Sequence, residues 1–230
     1  MKKVLLFLAL CAGPALYAQQ FGMSAHALMS FQLQRDIEVP YQDRTMRSGT
    51  APAFGVRLET NYILPGRSIP VAGYSGIGIT YITPATDSVI YEANFRSGGS
   101  MMIVGTEKIS MMSIALRFGY EFPQEFDEFL MINYGFGMGW SNFKRVYQLP
   151  EQSSTFNYTS DDFEEERFLP TRDGGVMLEI WLGGVYEFER FSVIGQYSGM
   201  IPFGGYDSNS IARIRHGLSA GIFYTLADLR

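Results

Sequence analysis

Cysteine is nearly absent from this 230-residue chain: Cys11 is the only one. Histidine occurs twice, and the basic side chains, 18 Lys and Arg against 23 Asp and Glu, are in the minority. Past the amino terminus there is no apolar run of the roughly 18 residues that a membrane helix needs. Each shortage excludes something. One cysteine rules out a disulfide framework, and its loss with a leader cleaved after Ala18 would also exclude thiol nucleophiles and thiolate metal sites. The missing apolar run rules out a helical membrane domain. The acidic balance argues against nucleic acid as a partner, because phosphate backbones reward basic patches. No motif for a cofactor is legible, and none is expected.

The first residues read as a leader. Lys2 and Lys3 precede the apolar run Val4–Ala12, and small residues follow as far as Ala18. This is the pattern of a secretory signal, too short to span a bilayer. Leu10 stands before Cys11, where a lipoprotein signal wants a small residue. Cleavage after Ala18 leaves one domain, 19–230, that lacks cysteine. Losing Lys2 and Lys3 takes the basic count from 18 to 16 against 23 acids, a net charge of −7.

What the chain has instead is glycine, aromatic rings and alternation. There are 25 glycines, aromatics make up 15%, and the mean hydropathy is +0.01. The stretch Leu130–Ser141 shows the pattern most plainly. Leu130, Ile132, Tyr134, Phe136, Met138 and Trp140 fall on one face. Met131, Asn133, Gly135, Gly137, Gly139 and Ser141 fall on the other. A period of two is that of a β-strand. Its length fits the roughly 9–11 tilted residues of a membrane-crossing strand. The wide apolar face opposite a bare one suits a barrel with lipid outside.

Seven more stretches alternate in the same way: Gly22–Leu33, Ala53–Ile63, Gly73–Thr83, Lys108–Glu121, Val176–Phe188, Phe191–Ile201 and Arg213–Leu226. In Phe191–Ile201 the parity is less clean, since Ile194 and Met200 fall on the polar side. Gln34–Pro52, Pro84–Glu107 and Asn142–Gly175 read as long connections. Pro84–Glu107 contains SMMIV, which can continue a strand beyond the bilayer. The connections around Pro65, Pro123 and Glu189 are short. The expected fold is all-β: an eight-stranded antiparallel transmembrane β-barrel with both termini periplasmic. A lipocalin-like soluble barrel is the competing architecture. It would put the apolar face inside and leave a glycine-rich face in water, which such a barrel does not need.

The signal ending in AQQ, the eight alternating strands and the aromatic-rich closing strand GLSAGIFYT resemble the bacterial outer-membrane β-barrel superfamily. Its small members include OmpA-like, OmpX-like, OmpW-like and PorT-like barrels. The resemblance covers the mature chain and is one of pattern. It implies a cell outer-membrane location, outer-membrane lipid as surroundings, and a periplasmic or extracellular protein partner. Many such barrels end on an aromatic residue, whereas this chain ends ADLR.

Parity places Arg57, Glu59, Arg117, Glu121, Glu179, Glu187, Arg213 and Arg215 on the inner face. Charges inside a narrow barrel must be paired. A lumenal polar network of Arg57, Glu59, Arg117, Glu179 and Arg215 is therefore expected, as a rigid filler or as a selectivity filter. Trp181 shares the inner phase and falls across from the glycine track Gly135, Gly137 and Gly139. It is expected to cover these glycines and plug the lumen, with its indole N–H bonded to a lumenal acceptor. His26, with Ser24 and Ser30, raises the possibility of a lipid-modifying hydrolase, although no hydrolase motif accompanies it. Asp161–Glu166 is acidic without the spacing of a calcium loop. Tyr62, Tyr81, Tyr120, Trp140, Tyr186, Tyr197 and Tyr224 suit interfacial girdles. The function expected is a non-enzymatic barrel with a structural or interaction role and a side-chain-filled lumen. A narrow channel and a lipid-modifying enzyme are the alternatives.

Overall fold

The computed structural model describes residues 20–32, 36–39, 44–48, 52–64, 72–94, 100–124, 127–148, 172–188, 190–204 and 214–228. The expected signal segment, the acidic cluster Asp161–Glu166 and Arg213 lie outside the described residues.

The described chain is all strand: β1 (Gln20–Gln32), β2 (Asp36–Val39), β3 (Arg44–Ser48), β4 (Ala53–Leu64), β5 (Ala72–Asn94), β6 (Ser100–Gln124), β7 (Asp127–Gln148), β8 (Arg172–Glu187), β9 (Phe191–Gly204) and β10 (Arg215–Asp228). All pairings are antiparallel, and eight strands form a closed barrel in which β1 pairs with both β4 and β10. Closure leaves no free edge in the barrel wall, so the ladders satisfy its backbone N–H and C=O groups internally. Gln20 and Asp228 are partners in the β1–β10 ladder. Both described ends of the chain therefore lie at the end of the barrel that carries the short turns.

The sequence-based boundaries need correction at the other end. Gln34–Pro52, read as a loop, contains the hairpin β2–β3, and β3 pairs with the far part of β5. The strands β5 and β6 run as one ladder from Ala72↔Glu121 to Asn94↔Ser100. They pass through a bulge between Ile82 and Ala85, where Pro84 sits. Proline removes a ladder donor, and a bulge is where a strand tolerates that. β7 continues through Asn142 to Gln148. The SMMIV stretch continues β6 as the sequence suggests, whereas the β7 extension is hidden by a break in the polarity of the alternation. Phe143 faces in and Lys144 faces out.

Within the barrel the polarity is that of a membrane protein. Val56, Leu58, Met112, Phe136, Met138, Ile180, Leu182, Leu218 and Ile222 are each half exposed or more, on the outer face. At the short-turn end rings abut along the same face: Phe122 stacks on Tyr134 at 5.4 Å and Phe188 on Phe191 at 4.5 Å. Such a band of apolar side chains flanked by rings fits lipid and not water. At its middle, Ile180→Arg is expected to destabilise the barrel by about 2–4 kcal/mol in a bilayer. Denaturant unfolding from vesicles measures this; an unchanged midpoint would mean that Ile180 does not face lipid.

Candidate functional site: a layered lumen

The inner face is layered along the barrel axis. Toward the long connections Leu28, Ala53, Ile82, Ile109, Met111, Phe143, Met177 and Met200 form a buried apolar cluster. Toward the short turns Val185, Ile194 and Phe223 form another, with Ile63 and Met131 against it. The anomalous parity of Ile194 and Met200 is thereby explained: both face inward and contribute to these layers.

Between the layers sit four charges from three strands. Arg57 comes from β4 with Glu59, Arg117 from β6 and Glu179 from β8. The two arginines are each about 1% exposed. Arg57 Nη2 donates to Glu179 Oε1 at 2.5 Å and its Nε donates to Thr80 Oγ1 at 3.0 Å. Arg57 Nε also lies 3.7 Å from Glu59 Oε1. Arg117 Nη1 donates to Glu59 Oε1, and its Nε lies 3.4 Å from Glu179 Oε2. Each arginine thus stands between both glutamates, and the four charges sum to zero. Burial between apolar layers strengthens each attraction and raises the cost of losing a partner.

Trp181 stands directly across from Gly135 in the β7–β8 ladder. Its ring is buried, and its Nε1–H donates to Tyr74 Oη at 2.7 Å. The Arg117 guanidinium lies 3.7 Å from the centre of the indole, a cation–π stack. A Cβ on Gly135 would come within 2.3 Å of the Phe118 carbonyl oxygen and 2.5 Å of the Trp181 Cζ2, so this glycine is required by both the β6 backbone and the ring. One on Gly137 would meet Trp181 Cζ3 at 3.5 Å and Arg117 Cγ at 3.2 Å. Gly139 is a correction: its neighbours are the β6 backbone at Ile114 and Ala115, and not Trp181. The cause of its smallness is close strand approach. Tyr74 was not singled out from sequence, since its stretch was read from Gly73 on its outward residues.

Arg215 is buried nearer the long connections, 5.9 Å from the centre of the Phe143 ring. Arg145 is buried as well, about 1% exposed, and was missed because the strand was ended at Ser141. Continuing the same parity by two pairs would have found it. Glu121 and Glu187 line a cavity of about 130 Å³ on the short-turn side, with Asn61, Asn133 and Gln196. Glu187 is at its exposed mouth.

His26 is buried, with Nε2 3.0 Å from Ser24 Oγ and 3.8 Å from Glu59 Oε1. A nucleophilic triad needs the acid on the nitrogen opposite the serine. Here serine and glutamate meet the same nitrogen, so the geometry is that of a packed polar core. His216 is on the outer face, its Nδ1 2.5 Å from Tyr197 Oη.

No protein-family model matches the sequence, and no curated protein does. Among solved structures the chain is similar to Neisserial surface protein A, with a TM-score of 0.53 and 13% identity over 90% of this chain and 97% of that one. It is also similar to the outer membrane protein OprG of Pseudomonas aeruginosa, at TM-score 0.44 and 9% identity over 91% and 94%. A third is Ail, the attachment invasion locus protein of Yersinia pestis, at 0.42 and 10% over 90% and 98%. The first likeness shows the fold alone, a small closed antiparallel β-barrel.

The ionic layer makes a quantitative prediction. Arg117→Ala strands Glu59 and uncovers the Trp181 face, and should cost about 3–5 kcal/mol. Glu59→Gln in the Arg117→Ala background should cost less than Glu59→Gln alone. A double-mutant cycle on unfolding midpoints reads this; purely additive losses would refute the pairing.

Proposed function

We propose that this chain is a non-enzymatic outer-membrane protein, a closed barrel with a structural or interaction role that presents its long connections to the exterior. The observation that carries the reading is the filled cross-section. Two arginines, two glutamates, Trp181 and Tyr74 meet across a lumen that in eight-stranded barrels has room for side chains and little else. In this reading Trp181 is the plug and the ionic quartet fixes it, so the barrel is a rigid body and not a conduit.

The remaining parts follow from the same reading. Residues 1–18 are the export signal, 19–230 the mature barrel, and both termini lie in the periplasm with the short turns. The partner is a protein met by the exterior loops or by the periplasmic turns. Two measurements test this. The full chain should fractionate with the outer membrane and show heat-modifiable gel mobility; recovery as a soluble periplasmic monomer would sink the location. In planar bilayers the wild-type barrel should be electrically silent, whereas Trp181→Ala combined with Arg117→Ala should show flickering conductance. Steady unitary currents from the wild type would favour a channel instead.

A further inference from the structure

The outer face carries a feature that the filled lumen does not use. Lys144 of β7 and Arg172 of β8 are direct cross-strand partners, and both are exposed. Lys144 is in phase with outward Trp140, and Arg172 is in phase with outward Ile180. Like charges directly opposite on one face of an antiparallel pair repel. Exposed Lys108 of β6 adds a third. It pairs with Val146, while Ser110 pairs with Lys144, so Lys108 is the diagonal neighbour of Lys144. Among the described residues the flanking outward positions are Ser110, Asn142, Val146 and Gly174, none of them an acid. Asp173 is of the opposite phase, and its Oδ1 accepts from the Gly174 N–H at 2.8 Å.

Below these cations the surface is of another kind. A groove of about 580 Å³ is lined by Tyr81, Met112 and Trp140 on the side of the apolar belt, and by Asn142, Lys144, Arg172 and Asp173 beyond it. Trp140 Nε1 donates to Asn142 Oδ1 at 3.1 Å. From Trp140 to Lys144 is four strand residues, about 10 Å along the membrane normal at the usual rise and tilt. That is the step from acyl chain to headgroup. An apolar trough topped by Lys144 and Arg172, with Lys108 beside it and no acid in the outward phase among the described residues, is complementary to an amphipathic anion on the lipid side of the wall.

We propose that Lys108, Lys144 and Arg172 hold the phosphorylated headgroup of an outer-leaflet lipid, whose acyl chain lies along Tyr81, Met112 and Trp140. The bound phosphate relieves the Lys144–Arg172 repulsion. This rests on the reading above that the barrel spans the outer membrane with its long connections outward.

The full chain, inserted into phosphatidylcholine nanodiscs doped with diphosphoryl lipid A, is released into detergent, and the lipid A retained is counted by native mass spectrometry. Wild type should retain it, and K144Q/R172Q should retain roughly tenfold less with unchanged heat-modifiable mobility. If the double variant does not fold, K108Q alone should show a smaller loss. Dephosphorylated lipid A should be retained roughly tenfold less than the diphosphoryl form, and millimolar inorganic phosphate should not displace the lipid. Equal retention by wild type and variants overturns the site, and displacement by free phosphate overturns its assignment to a lipid. Failure of the wild type to enter the nanodisc overturns the membrane reading itself, a separate result.

Discussion

Closing eight strands on themselves fixes the width of the interior, and most other features follow from that width. The ladder from β1 to β10 leaves no edge in the wall, and it leaves a lumen that side chains must fill. Any charge placed inside is cut off from water. Arg57, Arg117, Glu59 and Glu179 are tolerable there only as a neutral quartet in which each arginine reaches both carboxylates. Apolar clusters lie on either side of the quartet, one around Met111 and Phe143 and one around Val185 and Phe223, and Glu59 also borders the short-turn cavity. A buried quartet is strong while complete and costly when broken, which makes it a device for rigidity.

The same narrowness explains the pairing of the largest side chain with the smallest residues. Trp181 needs the space that Gly135 and Gly137 leave, and those glycines expose backbone that an aromatic ring covers. The hydrogen bond to Tyr74 and the guanidinium of Arg117 on the ring hold the indole in one orientation. Three strands that are not all neighbours, β5, β6 and β8, are thus tied together through the lumen.

The outer surface obeys a different rule at each end. Near the short turns it is a girdle of abutting rings. Near the long connections Trp140 gives way within a few residues to Lys144, opposite Arg172. Inside, at the same height, apolar Phe143 and Met111 replace polar side chains. The alternation therefore inverts at Phe143 and Lys144 and resumes at buried Arg145 and exposed Val146. The strand continues across this break, which hides the end of β7 from a reading by period.

What the sequence determines by itself is whatever depends on a period of two. The number of barrel strands, their centres, and the face on which Arg57, Glu59, Arg117, Glu179 and Trp181 stand are all readable, because parity is local and needs no partner. Gly135 opposite Trp181 was also within reach, since antiparallel pairing across one loop allows counting inward from it. Only the tertiary structure decided the rest. Which arginine meets which glutamate depends on the shear of a closed barrel, which brings β4, β6 and β8 together across the lumen although no two of them are joined in sequence order. Tyr74 as the indole's acceptor, the buried position of Arg145, and the real cause of Gly139 depend on the same closure. The hairpin β2–β3 depends on a partner strand, β5, running past the end that parity suggested. Local periodicity tells each residue which way to face, but the neighbours it finds there are set by the way the sheet closes.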